Sequence, residues 1–161
     1  MIFRQAKKEE IDQLLSEGYK VWSKGRTIEQ YFSENRKEDD FGIRYIIEDD
    51  EVIISSLILL TLKSINNKKV YGIGSLLTPP AYKHKGYASA LLKNCLQQIY
   101  IDTSLIFLYS EIDLSFYKRY NFRMLPPNLQ KDADSICMVL CNDDMWSVLI
   151  SNGIALIPDH F

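Results

Sequence analysis

Apolar residues recur at helical spacing through Ile11, Leu14, Leu15, Tyr19 and Trp22. That spacing predicts an amphipathic helix just after a short opening strand, Ile2-Phe3-Arg4-Gln5-Ala6. Lys24-Gly25-Arg26 interrupts the stripe. Thr27 followed by Gln30 fits a capping box, in which each side chain satisfies the other residue's backbone N–H. A second helix is therefore expected from there, carrying Ile28, Tyr31 and Phe32. The period then changes to two. Phe41, Ile43, Tyr45 and Ile47 alternate with Gly42, Arg44 and Ile46, as in a half-buried strand. Glu48-Asp49-Asp50-Glu51 reads as an acidic turn. Residues 52–62 form a mostly apolar run, which suits a strand covered on both faces. Asn66-Asn67-Lys68-Lys69 is a further turn. Residues 70–78 are a strand whose Gly72 and Gly74 mark a bulge or a close backbone approach.

Pro79-Pro80 ends that strand, and a helix with a strong apolar stripe follows: Ala88, Leu91, Leu92, Cys95, Leu96 and Ile99. Ser89, Lys93, Asn94, Gln97 and Gln98 make its polar face. A buried strand at 105–109, a short helix at 113–120 and a late strand at 137–141 complete the order. No repeat, low-complexity segment or linker divides the 161 residues, a length that suits one core. Meander strands joined to a crossover unit predict an α/β fold with a mixed sheet and helices on both faces.

Composition narrows the chemistry. A formal net charge of -2 offers no broad basic surface, so no nucleic-acid partner is expected and any anionic ligand must be held locally. Cys95, Cys137 and Cys141 contain no CxxC pair, and His84 and His160 lie far apart. Neither a disulfide framework nor a metal site is expected, and the cysteines read as small apolar filler. The run 52–62 is too short to span a bilayer and carries Ser55, Ser56 and Thr61, so no membrane association is expected. Met1-Ile2-Phe3-Arg4 lacks a signal-peptide pattern, which leaves a cytoplasmic location as the expectation.

The informative segment runs from Leu76 to Ala88. A strand ends, a basic turn follows and a helix begins at once. The first N–H groups of a helix have no internal partner, and its dipole makes that end positive. A turn of successive N–H groups there suits an anion. Gly86 admits close approach of a phosphate, Ala88 is small, and Lys83 and Lys85 add charge. The same residues also read as a plain basic turn in front of a core helix. Neither a Walker loop nor a three-glycine dinucleotide fingerprint is present.

Lys83-His84-Lys85-Gly86-Tyr87-Ala88 resembles the (Arg/Gln)-x-x-Gly-x-(Gly/Ala) motif of Gcn5-related N-acetyltransferases. Downstream, Leu108-Tyr109-Ser110-Glu111-Ile112 and Phe116-Tyr117-Lys118-Arg119-Tyr120-Asn121-Phe122 resemble that family's strand-plus-helix motif ending Tyr-x-x-x-Gly-Phe. The resemblance covers roughly residues 1–142. It implies a mostly antiparallel sheet splayed at an acetyl-CoA site. It also implies pantetheine and acetyl contacts at Leu76, Leu77 and Thr78. The pyrophosphate would rest on Lys83, His84, Lys85, Gly86, Tyr87 and Ala88. Ser110 would lie near the pantetheine, and Tyr117 near the thioester sulfur. Lys83 lacks the planar fork of arginine, His84 stands where a glycine is common, and Asn121 replaces the motif glycine.

The activity so implied moves an acetyl group from acetyl-CoA, as co-substrate, to a primary amine of a small or amino acid-like acceptor. Tyr117 would serve the departing thiolate as acid or hydrogen-bond donor, and Glu111 is a candidate base, with Glu29 and Glu34 as others. Trp22, Tyr31 and Tyr109 are candidates to line the acceptor pocket. Residues 143–161 are expected to pack on the domain or at a subunit interface, in a monomer or homodimer. A non-catalytic CoA-binding domain of the same fold is the alternative, and an unrelated phosphate-binding α/β protein a third.

Overall fold

A computed structural model describes residues 1–161. Its strands are β1 (Ile2–Gln5), β2 (Gly42–Asp49), β3 (Val52–Ile65), β4 (Lys68–Leu77), β5 (Ser104–Ser110), β6 (Arg123–Met124) and β7 (Ile136–Leu140). Its α-helices are α1 (Ile11–Trp22), α2 (Ile28–Arg36), α3 (Tyr87–Leu96), α4 (Ser115–Lys118) and α5 (Asp143–Asn152). The seven strands form one sheet in the order β1-β2-β3-β4-β5-β7-β6. β4 and β5 run parallel, while β1–β2, β2–β3, β5–β7 and β6–β7 are antiparallel, which is the mixed sheet that the alternation of elements predicts. The chain divides into two compact units, Met1–Leu60 with Ser75–Gln98, and Thr61–Gly74 with Ile99–Phe161.

In the first unit, α1 buries Leu14, Leu15 and Gly18. The capping box is present: Thr27 Oγ1 accepts from Gln30 N at 3.2 Å, and Gln30 Oε1 accepts from Thr27 N at 2.9 Å. β2 and β3 pair from Gly42↔Leu60 to Asp49↔Val52. The acidic turn between them is tight, with Asp50 and Glu51 both left-handed (φ 47° and 62°), the backbone that matches strand twist in a two-residue hairpin. Ile46, Ile58, Leu60, Leu91, Leu92 and Cys95 are fully buried.

An ion network ties β1 to β2 and to the chain just before α1. Arg4 donates to Glu48 Oε2 at 2.6 Å and to both carboxylate oxygens of Glu10, at 2.9 and 2.7 Å. The hydrogen bond from Arg4 is the main cause that holds the Glu10 carboxyl down at about 2 in the folded chain. A depressed carboxylate stabilises above its unfolded pKa, and that stabilisation is lost as pH falls toward the folded value. Glu10→Gln should therefore cost about 1 kcal/mol at neutral pH. In urea melts the gap should close between pH 4.5 and 2. A constant gap across that window contradicts the assignment.

In the second unit, β4 pairs with β5 from Lys69↔Ser104 to Ile73↔Leu108. β3 extends to Ile65 rather than ending near residue 62, because the turn is only Asn66-Asn67, both left-handed, and Lys68-Lys69 already belong to β4. β6 has two residues, too short to leave a period in the sequence. Leu105, Phe107, Leu129, Cys137 and Val139 form a core that Met145 and Leu149 of α5 and Ile157 complete. Asn142 caps α5 by accepting from Met145 N at 2.9 Å. The expected close approach at Gly72 is real: a Cβ there would lie 2.7 Å from Phe161 Cζ.

Candidate functional site

The first unit contributes the end of β4 and the loop after it. Ser75, inside β4, has φ 51°, so the strand is locally irregular there rather than at a glycine. Beyond it, buried Ser55 donates to Leu77 O at 3.1 Å, and its hydroxyl lies 2.8 Å from that of Thr78. These contacts fix the strand end that carries Leu76, Leu77 and Thr78. Pro79 and Pro80 then start a short 3-10 turn, Pro80–Tyr82. Lys83 N–H points back to Pro80 O at 3.4 Å, so Lys83 offers an anion only its ammonium.

From His84 the backbone turns left-handed (φ 63°), and Gly86 does so again (φ 85°) at the N-cap of α3. No side chain caps α3, and its first backbone bond is Ala90 N to Gly86 O, at 3.0 Å. The N–H groups of His84, Lys85, Gly86, Tyr87 and Ala88 accordingly have no partner within the chain. Lys83, His84, Lys85 and Gly86 are exposed, and Tyr87 and Ala88 are half-buried. Five consecutive free donors, two lysines and a helix dipole make a cradle for a di-anion.

A narrow recess also lies within this unit, lined by Leu14, Leu15, Gly18, Trp22, Tyr31, Arg44, Ser56, Leu57, Ser75 and Leu77. Trp22 and Tyr31, expected at an acceptor pocket, are both in it. Glu34 pairs with Arg26 at 2.5 Å, and Glu29 is exposed on α2.

The second unit carries the remaining candidates. Ser110 is buried at the end of β5, and its hydroxyl is spent locally, accepting from Ile112 N at 3.2 Å. Glu111 is exposed in the turn that follows. Tyr117, on α4, is 7% exposed and packs edge-on against Phe116 and Phe122, with centroids at 5.0 and 6.1 Å. Its hydroxyl makes no hydrogen bond within the chain, and burial pushes its pKa up to about 12. Tyr109 donates to Pro158 O at 2.5 Å, so its hydroxyl is tied to the C-terminal segment. Asn121, in the place of the motif glycine, is left-handed (φ 68°). Asn121→Ala should cost about 1 kcal/mol in a thermal melt, and Asn121→Gly nothing. Equal losses for both would show that the side chain, not the backbone, matters there.

Burial pushes the thiols of Cys95 and Cys137 up to about 12 and that of Cys141 to about 11, so none is a thiolate at neutral pH. No group of three or more His, Cys, Asp or Glu is placed to hold a metal ion. No helix is long and apolar enough to cross a membrane. Sequence reasoning missed Ser55, Ser75 and Gly18. Only Ser55, polar within an apolar run, left a signal.

The sequence model described as "Acetyltransferase (GNAT) domain" matches residues 3–125. The chain belongs to the GNAT acetyltransferase family. No curated relative matches it. Solved structures share the GNAT fold. A conserved Enterococcus faecalis protein of unknown function, called a probable N-acyltransferase, superposes with TM-score 0.64 at 20% identity, over 76% of this chain and 32% of that one. The histone acetyltransferase HPA2 and related acetyltransferase from Corynebacterium glutamicum gives 0.69 at 11% identity, over 86% and 94%. The N-acetylglutamate synthase of Neisseria gonorrhoeae, complexed with coenzyme A and N-acetyl-glutamate, gives 0.62 at 17% identity, over 86% and 34%. This chain thus spans about a third of the Enterococcus and Neisseria chains. At these identities the three report on fold.

Proposed function

We propose that this GNAT chain is an N-acetyltransferase that takes its acetyl group from acetyl-CoA. The observation that carries the reading is the run of unpaired N–H groups from His84 to Ala88 at the start of α3, inside a family match. The pyrophosphate binds those donors, with the ammonium groups of Lys83 and Lys85 beside it. Leu76, Leu77 and Thr78 hold the pantetheine arm and the acetyl carbonyl through the backbone, with Ser110 assigned to the same arm. The irregular backbone at Ser75 turns donors near Leu76 toward the oxyanion. The amine nitrogen attacks the thioester carbon, the C–N bond forms and the C–S bond breaks. Glu111 accepts the proton that the amine gives up, and the thiolate takes one from solvent as it leaves. Tyr117 is the hydrogen-bond donor to that sulfur. The acceptor is a small-molecule or amino acid-like primary amine.

Thermal shift with acetyl-CoA, CoA and ATP tests the cofactor. Stabilisation by the two CoA species and not by ATP is expected. No shift with either CoA species rejects the proposal. A shift without thiol release on any amine leaves a CoA-binding domain instead.

A further inference from the structure

The recess of the first unit is lined by polar groups with hydrogen-bonding capacity left over. Tyr31 is 2% exposed, and its hydroxyl makes no hydrogen bond within the chain, which leaves that oxygen able to bond a ligand or water. The hydroxyl lies against Gly18, where a Cβ would come within 2.5 Å of it, so the bare backbone of α1 makes room for that oxygen. Arg44 is buried. Its Nε donates to Asp39 Oδ1 at 2.7 Å and its Nη2 to Asn35 O at 3.2 Å, while Nη1 is left without a partner. Ser56 and Ser75 add two hydroxyls that bond to nothing else in the chain. Trp22 and Ser75, in its lining, are half-buried. The cavity volume, about 10 Å³, suits one oxygen-sized group.

All four polar groups can donate, and Arg44 can only donate. An ammonium placed there would face a guanidinium, whereas a carbonyl or carboxylate oxygen would meet donors on several sides. Glu38, whose Oε2 is buried without a partner, lies outside the lining, and burial raises its pKa. Leu77 belongs both to this recess and to the strand end assigned to the acetyl group, and Ser75 of the lining stands just before that end. An acceptor oxygen seated in the recess would therefore lie beside the strand end proposed to hold the acetyl group.

We infer that Tyr31, with Arg44, Ser56 and Ser75, binds an oxygen on the carbon next to the amine-bearing carbon, so the acceptor is an α-aminoacyl compound rather than a simple alkylamine. The inference rests on the function proposed above. The oxygen comes either from a free amino acid's carboxylate or from an aminoacyl amide or peptide carbonyl.

The test compares CoA thiol release with phenylalanine, phenylalaninamide and phenethylamine, and with the same three forms of the other common amino acids. The acid or the amide should exceed its amine at least about tenfold in kcat/KM, as expected of a site built to hydrogen-bond an oxygen. Preference for the acid or for the amide names the source. Tyr31→Phe should narrow that gap, through KM more than kcat, and Ser56→Ala should narrow it less; a melt confirms that each variant folds. Amines that react as well as their acids and amides overturn the inference, as does a gap unchanged in Tyr31→Phe. Acetyl-CoA stabilisation with no turnover of any of these compounds overturns it too and leaves the cofactor reading standing. Absence of stabilisation by acetyl-CoA sinks the cofactor reading first.

Discussion

Replacing Gly86 with aspartate is expected to lower acetyl-CoA affinity about 100-fold or more while the fold survives. A Cβ at Gly86 meets nothing within 4 Å, so only the left-handed φ of 85° resists a side chain. Aspartate tolerates that region better than most residues, which limits the cost to about 1 kcal/mol. A carboxylate at the N-cap also favours the positive end of α3. The same charge repels a pyrophosphate and competes for the N–H groups that would hold it. Hydrogen bonds to charged groups contribute about 1.5–3 kcal/mol each. Losing two of them removes roughly 3–6 kcal/mol, a factor of 100 or more. Calorimetric titration measures the affinity and a thermal melt the fold. Binding within about threefold of the parent would place the pyrophosphate elsewhere.

Tyr117→Phe should lower kcat by about 100-fold, the size seen when one donor to developing negative charge is removed. Acetyl-CoA binding should stay within about twofold and the melting temperature should hold, because the Tyr117 hydroxyl bonds to nothing in the resting chain. Burial pushes its pKa up to about 12, which favours a hydrogen-bond donor over a full acid. A thiol titrates near 8.5, so full transfer from this phenol to the thiolate is uphill by roughly 5 kcal/mol. In the proposed reaction Tyr117 would therefore donate a hydrogen bond while charge grows on sulfur, without supplying the proton that the thiolate finally keeps. A pH–rate profile separates the two versions: no limb near 12 should govern kcat. Unchanged kcat in the variant removes Tyr117 from the reaction.

The fold was legible wherever a period ran long enough. The stripe from Ile11 to Trp22 and the capping box at Thr27 each became the helix they suggested, whereas the alternation from Phe41 to Ile47 became a strand that is not half-buried: Ile43 is exposed, and Arg44, Tyr45, Ile46 and Ile47 are all buried. The two residues of β6 carry no period and exist because Arg123 and Met124 pair with Val139 and Met138. The left-handed loop before α3 was legible through Gly86. The similar turn at His84 was not, since histidine does not advertise φ 63°. The recess was least legible. Its character comes from partners that Tyr31, Ser56 and Ser75 lack, and a sequence names residues without naming what they fail to bond. The irregularity at Ser75 was expected one or three residues earlier, at Gly74 or Gly72, because a strand glycine signals either a bulge or a close approach. Gly72 took the second role, against Phe161.

In the proposed complex the backbone from His84 to Ala88 receives the pyrophosphate of acetyl-CoA. Amide chemical shifts of ¹⁵N-labelled protein, followed as acetyl-CoA is added, test it most directly. The amides of His84, Lys85, Gly86, Tyr87 and Ala88 are expected to shift together with the added cofactor, the behaviour of N–H groups gaining charged acceptors. If acetyl-CoA binds while those five amides stay in place, that placement is contradicted.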